Sequence, residues 1–275
     1  MKKQLIVLMT DFGNDDIYVG VVKGVIKNIC PDCDIIDLTH NIPSYDIEQA
    51  AIKLYFAEKY YPENTVFLCV VDPGVGSDRR PIGIRANNKY FIAPDNGLLS
   101  LIIDKYIFDY LYWFNNSDYY LKETSNTFHC RDIFAPIAAH IAKGVNLDLI
   151  GKKINLSEIV KFDLTKCKEI GESLGGSILY IDKFGNIVTS IDIDSLNDYM
   201  YKYGADKEQI YVLINNQKIT GISNTFSDVK IGELLAYTGS FSMLEIGVRN
   251  GNASDRILGN TKYKDVKIEL KVEQV

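Results

Sequence analysis

The chain has 275 residues, of which 47% are hydrophobic and 24% charged, and its formal net charge at pH 7 is -6. This balance is typical of a globular protein with one large or two medium-sized domains. The acidic charge argues against nucleic acid or an anionic membrane as the main partner, and no apolar run is long enough to span a bilayer. The apolar run 5–9 is too short for the core of a signal peptide, so we expect a cytoplasmic protein.

The cysteines do not form the framework of a secreted protein. There are five of them, an odd number without regular spacing. The pair Cys30 and Cys33 has CxxC spacing, but it follows an apolar helical stretch, whereas a reactive thiol is favoured at the start of a helix. A structural zinc site would need a second cysteine pair or histidines nearby, and the sequence has none at a suitable spacing. The pattern therefore favours neither a redox nor a metal site.

The first part of the chain has alternating strand and helix patterns. Short apolar runs predict strands over 5–9, 34–38 and 65–71, and helical spacing predicts helices over 17–29 and 47–60, the second capped by Asp46. This βαβαβ order predicts a parallel sheet with right-handed crossovers and helices on its faces. Next come a hairpin of strands 82–86 and 90–93, and an alanine-rich helix over 133–143.

The character of the sequence changes after this helix. Residues from about 152 to 172 are charged and aperiodic, and beyond them short strand patterns alternate with turns and almost no helix. We expect an N-terminal α/β/α domain with a mostly parallel sheet over 1–155 and a connecting segment over 156–171. A smaller all-β domain, a barrel or sandwich, is expected over 172–275.

Two acids follow predicted strands of the N-terminal domain. Asp11 comes after the first strand, and Asp72 after the third, where it opens the turn Asp72-Pro73-Gly74-Val75-Gly76 that precedes Arg79 and Arg80. Ligands of open α/β sheets bind outside the carboxyl ends of the strands, and one carboxylate can accept from two ribose hydroxyls. The alternative is that both acids only stabilise their turns.

Of the three histidines, one has a setting that indicates function. His129 lies among Thr, Cys, Arg and Asp just before a helix start, whereas His40 and His140 are better explained by packing or surface roles. No phosphate-binding glycine motif and no serine-nucleophile elbow occur in the sequence. The turn Phe184-Gly185-Asn186 could stack on and hydrogen-bond a base, or could be a plain hairpin turn.

Five motifs in one order resemble a single family. They are Thr10-Asp11-Phe12-Gly13, Asp72-Pro73-Gly74-Val75-Gly76, Pro94-Asp95-Asn96-Gly97, Thr127-Phe128-His129-Cys130-Arg131-Asp132 and Phe184-Gly185-Asn186. Together they resemble the S-adenosylmethionine (SAM) hydroxide adenosyltransferases, relatives of the fluorinating and chlorinating enzymes. The resemblance implies a C-terminal β-barrel, a homotrimer with each active site between neighbouring subunits, and attack of water on C5′ of SAM to give adenosine and L-methionine.

The resemblance also implies roles for individual residues. The catalytic set falls on Asp72, Arg79 and His129. The substrate-binding positions fall on Asp11 for the ribose, Asp16 and Tyr18 nearby, Thr127 in the loop before His129, Phe184 and Asn186 in the adenine-binding turn, Asp182 near the methionine end, and Phe226, Ser240 and Glu245 in less firmly matched segments. Cys130 departs from the glycine that is frequent at its position in the hydrolases.

The implied chemistry needs positioning and a base. A sulfonium is already a good leaving group, so no metal or organic cofactor is expected, and either Asp72 or His129 could accept the proton of water. One alternative is a halide adenosyltransferase, which the ionisable Asp72 and His129 disfavour because a carboxylate repels halide. Another is a module that binds SAM or adenosine without catalysis.

Overall fold

The computed structural model describes residues 4–163, 167–259 and 261–273. The chain divides into two compact units, Met1–Leu164 and Thr165–Val275. Within residues 4–163, the first unit contains a seven-stranded sheet in the order β2-β1-β3-β5-β4-β6-β7. Its strands are β1 (Leu5–Thr10), β2 (Asp34–Thr39), β3 (Val66–Val70), β4 (Pro81–Ala86), β5 (Lys89–Pro94), β6 (Phe108–Trp113) and β7 (Lys152–Ile154). Strands β2, β1, β3 and β5 are mutually parallel, as predicted, whereas the pairs β4–β5, β4–β6 and β6–β7 are antiparallel, so the sheet as a whole is mixed.

Helices cover both faces of this sheet. They are α1 (Tyr18–Ile29), α2 (Ile47–Ala57), α3 (Ser100–Lys105), α4 (Ala135–Ala142) and α5 (Leu147–Ile150). Alternate residues of β1 point to opposite faces: Ile6 and Leu8 pack in a core with α1 and α4, and Val7 and Met9 pack in a core with α2 and α3. The helices on both faces confirm the α/β/α prediction. The prediction was possible from the sequence because strands buried on both faces are nearly continuous in apolar residues.

Local signals in this unit act as the sequence indicates. Asp46 caps α2 by accepting a hydrogen bond from the backbone N–H of Gln49 at 3.1 Å. The hairpin of β4 and β5 turns through Asn87 and Asn88, whose φ angles of 48° and 56° lie in the left-handed region. Two such residues give the tight turn whose twist matches that of the flanking strands, and asparagine tolerates this conformation.

The predicted helix over 133–143 starts differently from the prediction. Residues Cys130–Phe134 form a π-helical turn, and α4 follows it directly. The N–H of Ala135 donates to the carbonyl of Cys130, five residues back, so this turn holds one residue more than an α-helical turn. Such turns occur often at functional sites.

Within residues 167–259 and 261–273, the second unit contains nine strands. They are β8 (Lys168–Ile170), β9 (Ser173–Ile181), β10 (Ile187–Asp192), β11 (Ile210–Ile214), β12 (Gln217–Thr220), β13 (Ile222–Ser223), β14 (Leu234–Thr238), β15 (Met243–Val248) and β16 (Lys267–Val272). The order is β12-β11-β16-β9-β10-β15-β14-β13, with β8 paired to β9. Because β12 also lies beside β14, the sheet is nearly closed, and the barrel-like prediction is confirmed.

The expectation of almost no helix in this unit is wrong. It contains α6 (Ile193–Tyr203) and α7 (Ala253–Leu258). Leu196 and Tyr199 of α6 are buried, and three further apolar residues of the helix pack partly buried against the same core, so its apolar residues do recur at helical spacing. Its ends carry further signals: Asp192 accepts from the N–H of Ser195 at 2.8 Å, and Gly204 ends the helix at a φ of 61°. Throughout 4–163, 167–259 and 261–273, no helix combines the length and hydropathy needed to cross a membrane.

Candidate active site

The carboxylate of Asp72 lies at the carboxyl end of β3, as predicted. The strand and Val71 after it are buried, and the side-chain amide of Asn96 donates to the carbonyl of Val71 at 2.8 Å. This hydrogen bond fixes the backbone immediately before Asp72, whose side chain is only 6% exposed. The motif around Asn96 therefore supports the strand end that carries the acid.

The turn after Asp72 brings Arg79 back to it. The hydroxyl of Ser77 donates to the carbonyl of Gly74 at 2.6 Å, which closes the turn. Arg79 Nε then donates to both carboxylate oxygens of Asp72, at 2.9 and 2.8 Å, and its Nη2 contacts Oδ2 as well. The guanidinium carbon lies 5.0 Å from the centre of the Phe134 ring, in the π-helical turn. Arg79 is thereby held between a carboxylate and an aromatic face.

His129 completes this set from a distant part of the chain. Its Nδ1 lies 2.9 Å from Arg79 Nη2, and a guanidinium nitrogen can only donate, so Nδ1 is the acceptor and the neutral ring carries its proton on Nε2. Burial and the positive charge of Arg79 lower the pKa of His129, while Asp72 and Asp132 act in the opposite direction. The ring is therefore a neutral donor through Nε2 near neutral pH.

Asp11 lies at the end of β1, beside the same region. Its Oδ2 accepts from the N–H of Tyr45 at 2.9 Å, and Tyr45 has a left-handed φ of 69°. The preceding residue, Thr10, is hydrogen-bonded through Oγ1 to Nδ1 of His40 at 2.8 Å. His40 is buried and its Nε2 lies 3.1 Å from Asp37, so it has the packing role that the sequence indicated.

A cavity of about 220 Å³ opens in front of these groups. Four predicted residues line it, Asp11, Asp72, Thr127 and His129. Arg79 is hydrogen-bonded to two of them, Asp72 and His129. Further residues without a predicted role also line it, namely Phe12, Ser44, Tyr45, Val70, Val75 and Phe128. Three of them, Phe12, Val75 and Phe128, belong to the five motifs, and that membership was the available signal.

Two predicted positions lie outside the lining of this cavity. Asp16 is exposed and accepts from the N–H of Ile17 at 2.6 Å. Tyr18 packs edge-on against Phe128, with ring centres 5.2 Å apart, and so supports a lining residue. Cys130 does line the cavity, as a buried thiol whose pKa is raised mainly by burial. It is therefore an uncharged part of the cavity wall.

The remaining predicted residues belong to the second unit. Asp182 stabilises the turn between β9 and β10, accepting from the N–H groups of Phe184 and Asn186 at 2.8 Å each and from the Asn186 amide at 2.9 Å. Phe184 is 75% exposed at the tip of this turn, and Ser240 is exposed in the turn between β14 and β15. Asp182 thus orients the amide of Asn186.

Three side chains converge over Gly247 on β15. A Cβ atom there would lie 2.8 Å from the Phe226 ring, 2.9 Å from Asn186 Oδ1 and 3.2 Å from the Tyr237 ring. Tyr237 also donates to Oε2 of the buried Glu245 at 2.6 Å, and burial raises the pKa of this acid. The structure therefore brings Asn186, Phe226 and Glu245 together around one aromatic and amide surface suited to a flat heterocycle.

Comparison with known proteins agrees with this geometry. The model of the SAM hydroxide adenosyltransferase N-terminal domain matches residues 6–151, and that of the C-terminal domain matches residues 176–265. The chain belongs to the SAM hydroxide adenosyltransferase family. Within this family it is 30% identical over 266 residues to the (R)-S-adenosyl-L-methionine hydrolase of Thermus thermophilus, covering 90% of this chain and 93% of the relative.

Two further proteins resemble the chain over most of its length. A fluorinase of Actinopolyspora mzabensis is 27% identical over 270 residues, covering 89% of this chain and 90% of the relative. The crystal structure of an uncharacterized conserved protein from Thermotoga maritima is 36% identical, with a TM-score of 0.87 over 97% of this chain and 99% of that one. The adenosyltransferase fold thus extends over both units.

Proposed function

We propose that this adenosyltransferase hydrolyses SAM to adenosine and L-methionine. The observation that carries the proposal is the Arg79 guanidinium, which bonds both the carboxylate of Asp72 and the ring of His129 at the wall of a cavity. These three side chains can orient one water molecule for attack on a carbon atom. Relatives named SAM hydrolases, at 30 to 36% identity, support the choice of substrate.

The reaction balances without any further reactant. The oxygen of water forms a bond to C5′ of the ribose while the C5′–S bond breaks, and that electron pair goes to sulfur, which leaves as the neutral thioether of methionine. One proton of the water passes to the enzyme and then to solvent. Because the leaving group needs no protonation, this mechanism requires no metal or organic cofactor.

We assign the proton acceptor to Asp72 and an orienting role to His129. Nδ1 of His129 already accepts from Arg79, and its Nε2 carries the proton, so the neutral ring donates toward the site. The carboxylate of Asp72 has only acceptor atoms, and its Oδ1, which is bonded by Arg79 Nε alone, can accept a further hydrogen bond from water. Asp72 is therefore the group that can take the proton.

The substrate would need residues from both units. Asp11 is suited to the ribose hydroxyls, because Tyr45 occupies one of its oxygens and leaves the other. Asn186 and Phe226 are suited to hydrogen bonding and stacking of adenine. We propose that the two sets meet between subunits of a homotrimer, and that the reaction takes place in the cytoplasm, as the composition and unpatterned cysteines favour.

A second candidate is halide transfer, because fluorinases are among the relatives at 26 to 28% identity. In this chain the buried carboxylate of Asp72 would repel a halide ion, whereas it attracts water. Hydrolysis is therefore the function that the site favours.

The decisive experiment is incubation with SAM in halide-free buffer made with ¹⁸O-labelled water. We expect equal amounts of adenosine and methionine, with the label in the 5′-hydroxyl of adenosine. A chlorinated nucleoside on addition of chloride would support halide transfer instead. No product under either condition would refute catalysis and leave only binding.

The shared site has its own test. Asp72→Asn and Asn186→Ala are each expected to abolish most of the turnover, and mixing the two variants should restore up to about a quarter of the parental activity if sites form between subunits. Absence of recovery, with subunit exchange shown by mass spectrometry, would contradict the trimeric site.

A further inference from the structure

A fully buried carboxylate follows His129 by three residues. Asp132 accepts from Arg131 Nε and Nη2 at 2.5 and 2.9 Å, and from the N–H of Ser125 at 2.8 Å. Although burial alone would raise the pKa of Asp132, the hydrogen bonds from Arg131 and Ser125 lower it overall. A buried charge with this set of partners is a fixed negative group.

Asp132 fastens the segment that leads into the cavity. Its carbonyl accepts from the N–H of Leu121 at 2.9 Å, and its own N–H donates to the carbonyl of Phe128 at 3.2 Å. The N–H of Phe128 donates in turn to the hydroxyl of Ser125 at 3.1 Å. The residue therefore ties residues 121, 125 and 128 to the π-helical turn, and Thr127 and Phe128, which line the cavity, lie within the tied segment.

The charge of Asp132 also acts on the imidazole. His129 is influenced by three charged side chains, the guanidinium of Arg79 and the carboxylates of Asp72 and Asp132. Burial and Arg79 lower the pKa of His129, and the two carboxylates raise it. Asp132 follows His129 by three residues in the same stretch of chain. A substitution of Asp132 therefore affects both the position of the loop before His129 and the charge near the imidazole.

We propose that Asp132 is a positioning residue for the hydrolysis, a role that rests on the proposed function. It touches neither the water nor the substrate in this assignment. It holds the cavity wall of Thr127 and Phe128, and through the same turn it sets the direction of the His129 ring.

The test compares two buried aspartates with matching partners. Asp95 accepts from Arg80 Nε and Nη2 at 3.0 and 2.6 Å and from the N–H of Val160 at 2.8 Å, so it repeats the arrangement of Asp132 away from His129. The variants are Asp132→Asn and Asp95→Asn. Proton NMR titration follows His129, which is readily assigned among three histidines.

In Asp132→Asn we expect the pKa of His129 to fall, because a negative charge that stabilises the imidazolium is lost. The acid limb of the kcat profile should move to lower pH in parallel. The plateau of kcat should fall by about 10²-fold, with little change in KM for SAM, because the wall and ring are displaced. In Asp95→Asn we expect the pKa of His129 to stay at the parental value.

Two results would overturn the proposal. One is a folded Asp132→Asn protein with parental kcat and parental His129 titration. The other is an equal shift of the His129 pKa in Asp132→Asn and Asp95→Asn. If Asp132→Asn does not fold, Asp132→Glu takes its place. This variant keeps the negative charge, so the pKa of His129 should remain parental while kcat falls. A parental kcat in Asp132→Glu would refute the positioning role.

The titration also separates this proposal from the proposed function. If the parent protein does not turn SAM over, the proposed function fails, and the role in hydrolysis fails with it. The shift of the His129 pKa in Asp132→Asn would still show whether Asp132 acts on the ring.

Discussion

Nη2 of Arg79 lies 2.9 Å from Nδ1 of His129, although 50 positions separate the two residues. This contact decides which nitrogen of the imidazole carries a proton and, through it, which residue can accept one from water. Lysine at position 79 would keep the charge but lose the fork that reaches both partners.

Arg79→Lys should therefore lower kcat by about 10²- to 10³-fold, as expected for loss of a preorganised donor. The matched variant is Arg80→Lys, because Arg80 bonds Asp95 instead of the catalytic acid and should keep most of the turnover. Steady-state kinetics with SAM measures both variants. Equal losses in the two would show that the fork of Arg79 has no special role.

Asp72→Asn and His129→Gln test the assignment of the base. Loss of the proton acceptor should lower kcat by about 10²- to 10⁴-fold, whereas loss of the orienting donor should cost less. The acid limb of the kcat profile should disappear in His129→Gln, because protonation of the ring causes it. A larger loss in His129→Gln than in Asp72→Asn would transfer the role of base from Asp72 to His129.

Gly76 connects the turn after Asp72 to the loop before His129. Its φ is +81°, and a Cβ atom there would lie 2.6 Å from the carbonyl oxygen of Asn126. Gly76→Ala should lower the free energy of unfolding by at least about 1–2 kcal/mol and reduce kcat, since the loop carrying Thr127 must move. Gly74→Ala makes only ordinary contacts, and its urea midpoint should stay close to that of the parent. Equal midpoints in both variants would contradict this contact.

Two histidines make stability depend on pH. Burial, with Arg79 near His129 and Lys143 near His140, lowers both pKa values from the ordinary 6.5. As pH falls below 6.5, the unfolded chain takes up protons that the folded chain does not, so the free energy of unfolding decreases. Urea midpoints between about pH 7.5 and about pH 5.5 should show this decrease, and His140→Gln should make it shallower. A parental slope in His140→Gln would exclude His140 as a source.

Tyr237→Phe removes the hydrogen bond to the buried Glu245. The acid then lacks this donor, and the free energy of unfolding should fall by about 1–3 kcal/mol. Urea unfolding followed by circular dichroism measures it. Phe226→Leu, on the same aromatic contact, should cost less because it leaves the acid with its donor. The reverse order would indicate that packing of these rings dominates over the hydrogen bond.

The sequence predicts which residues lie at the strand ends more fully than it predicts the contacts that those residues make. The apolar runs of β1 and β3 are unambiguous because both faces are buried, so Asp11 and Asp72 could be placed from periodicity alone. The partner of Asp11 could not, because Tyr45 reaches Asp11 across 34 positions and through a strained backbone. Contacts of this kind depend on the folded chain.

Two helical segments account for most of the remaining differences. Helix α6 stands alone among short strands, and its caps mark it together with the helical spacing of its apolar residues. The π-helical turn has no periodicity of its own, because a single extra residue is absorbed within an otherwise regular helix. Asp132 was visible in a motif, but its burial and its bond to Ser125 were not.

The single extra residue in the turn Cys130–Phe134 has a consequence for insertions and deletions. Removing one residue there would allow a regular α-helix, and everything before it would rotate by about 100° around the helix axis relative to α4. His129 would then face a different side of the helix, away from Arg79. Substitutions that keep the length of this turn leave the direction of the imidazole unchanged. A change in the length of the turn would rotate the imidazole away from Arg79.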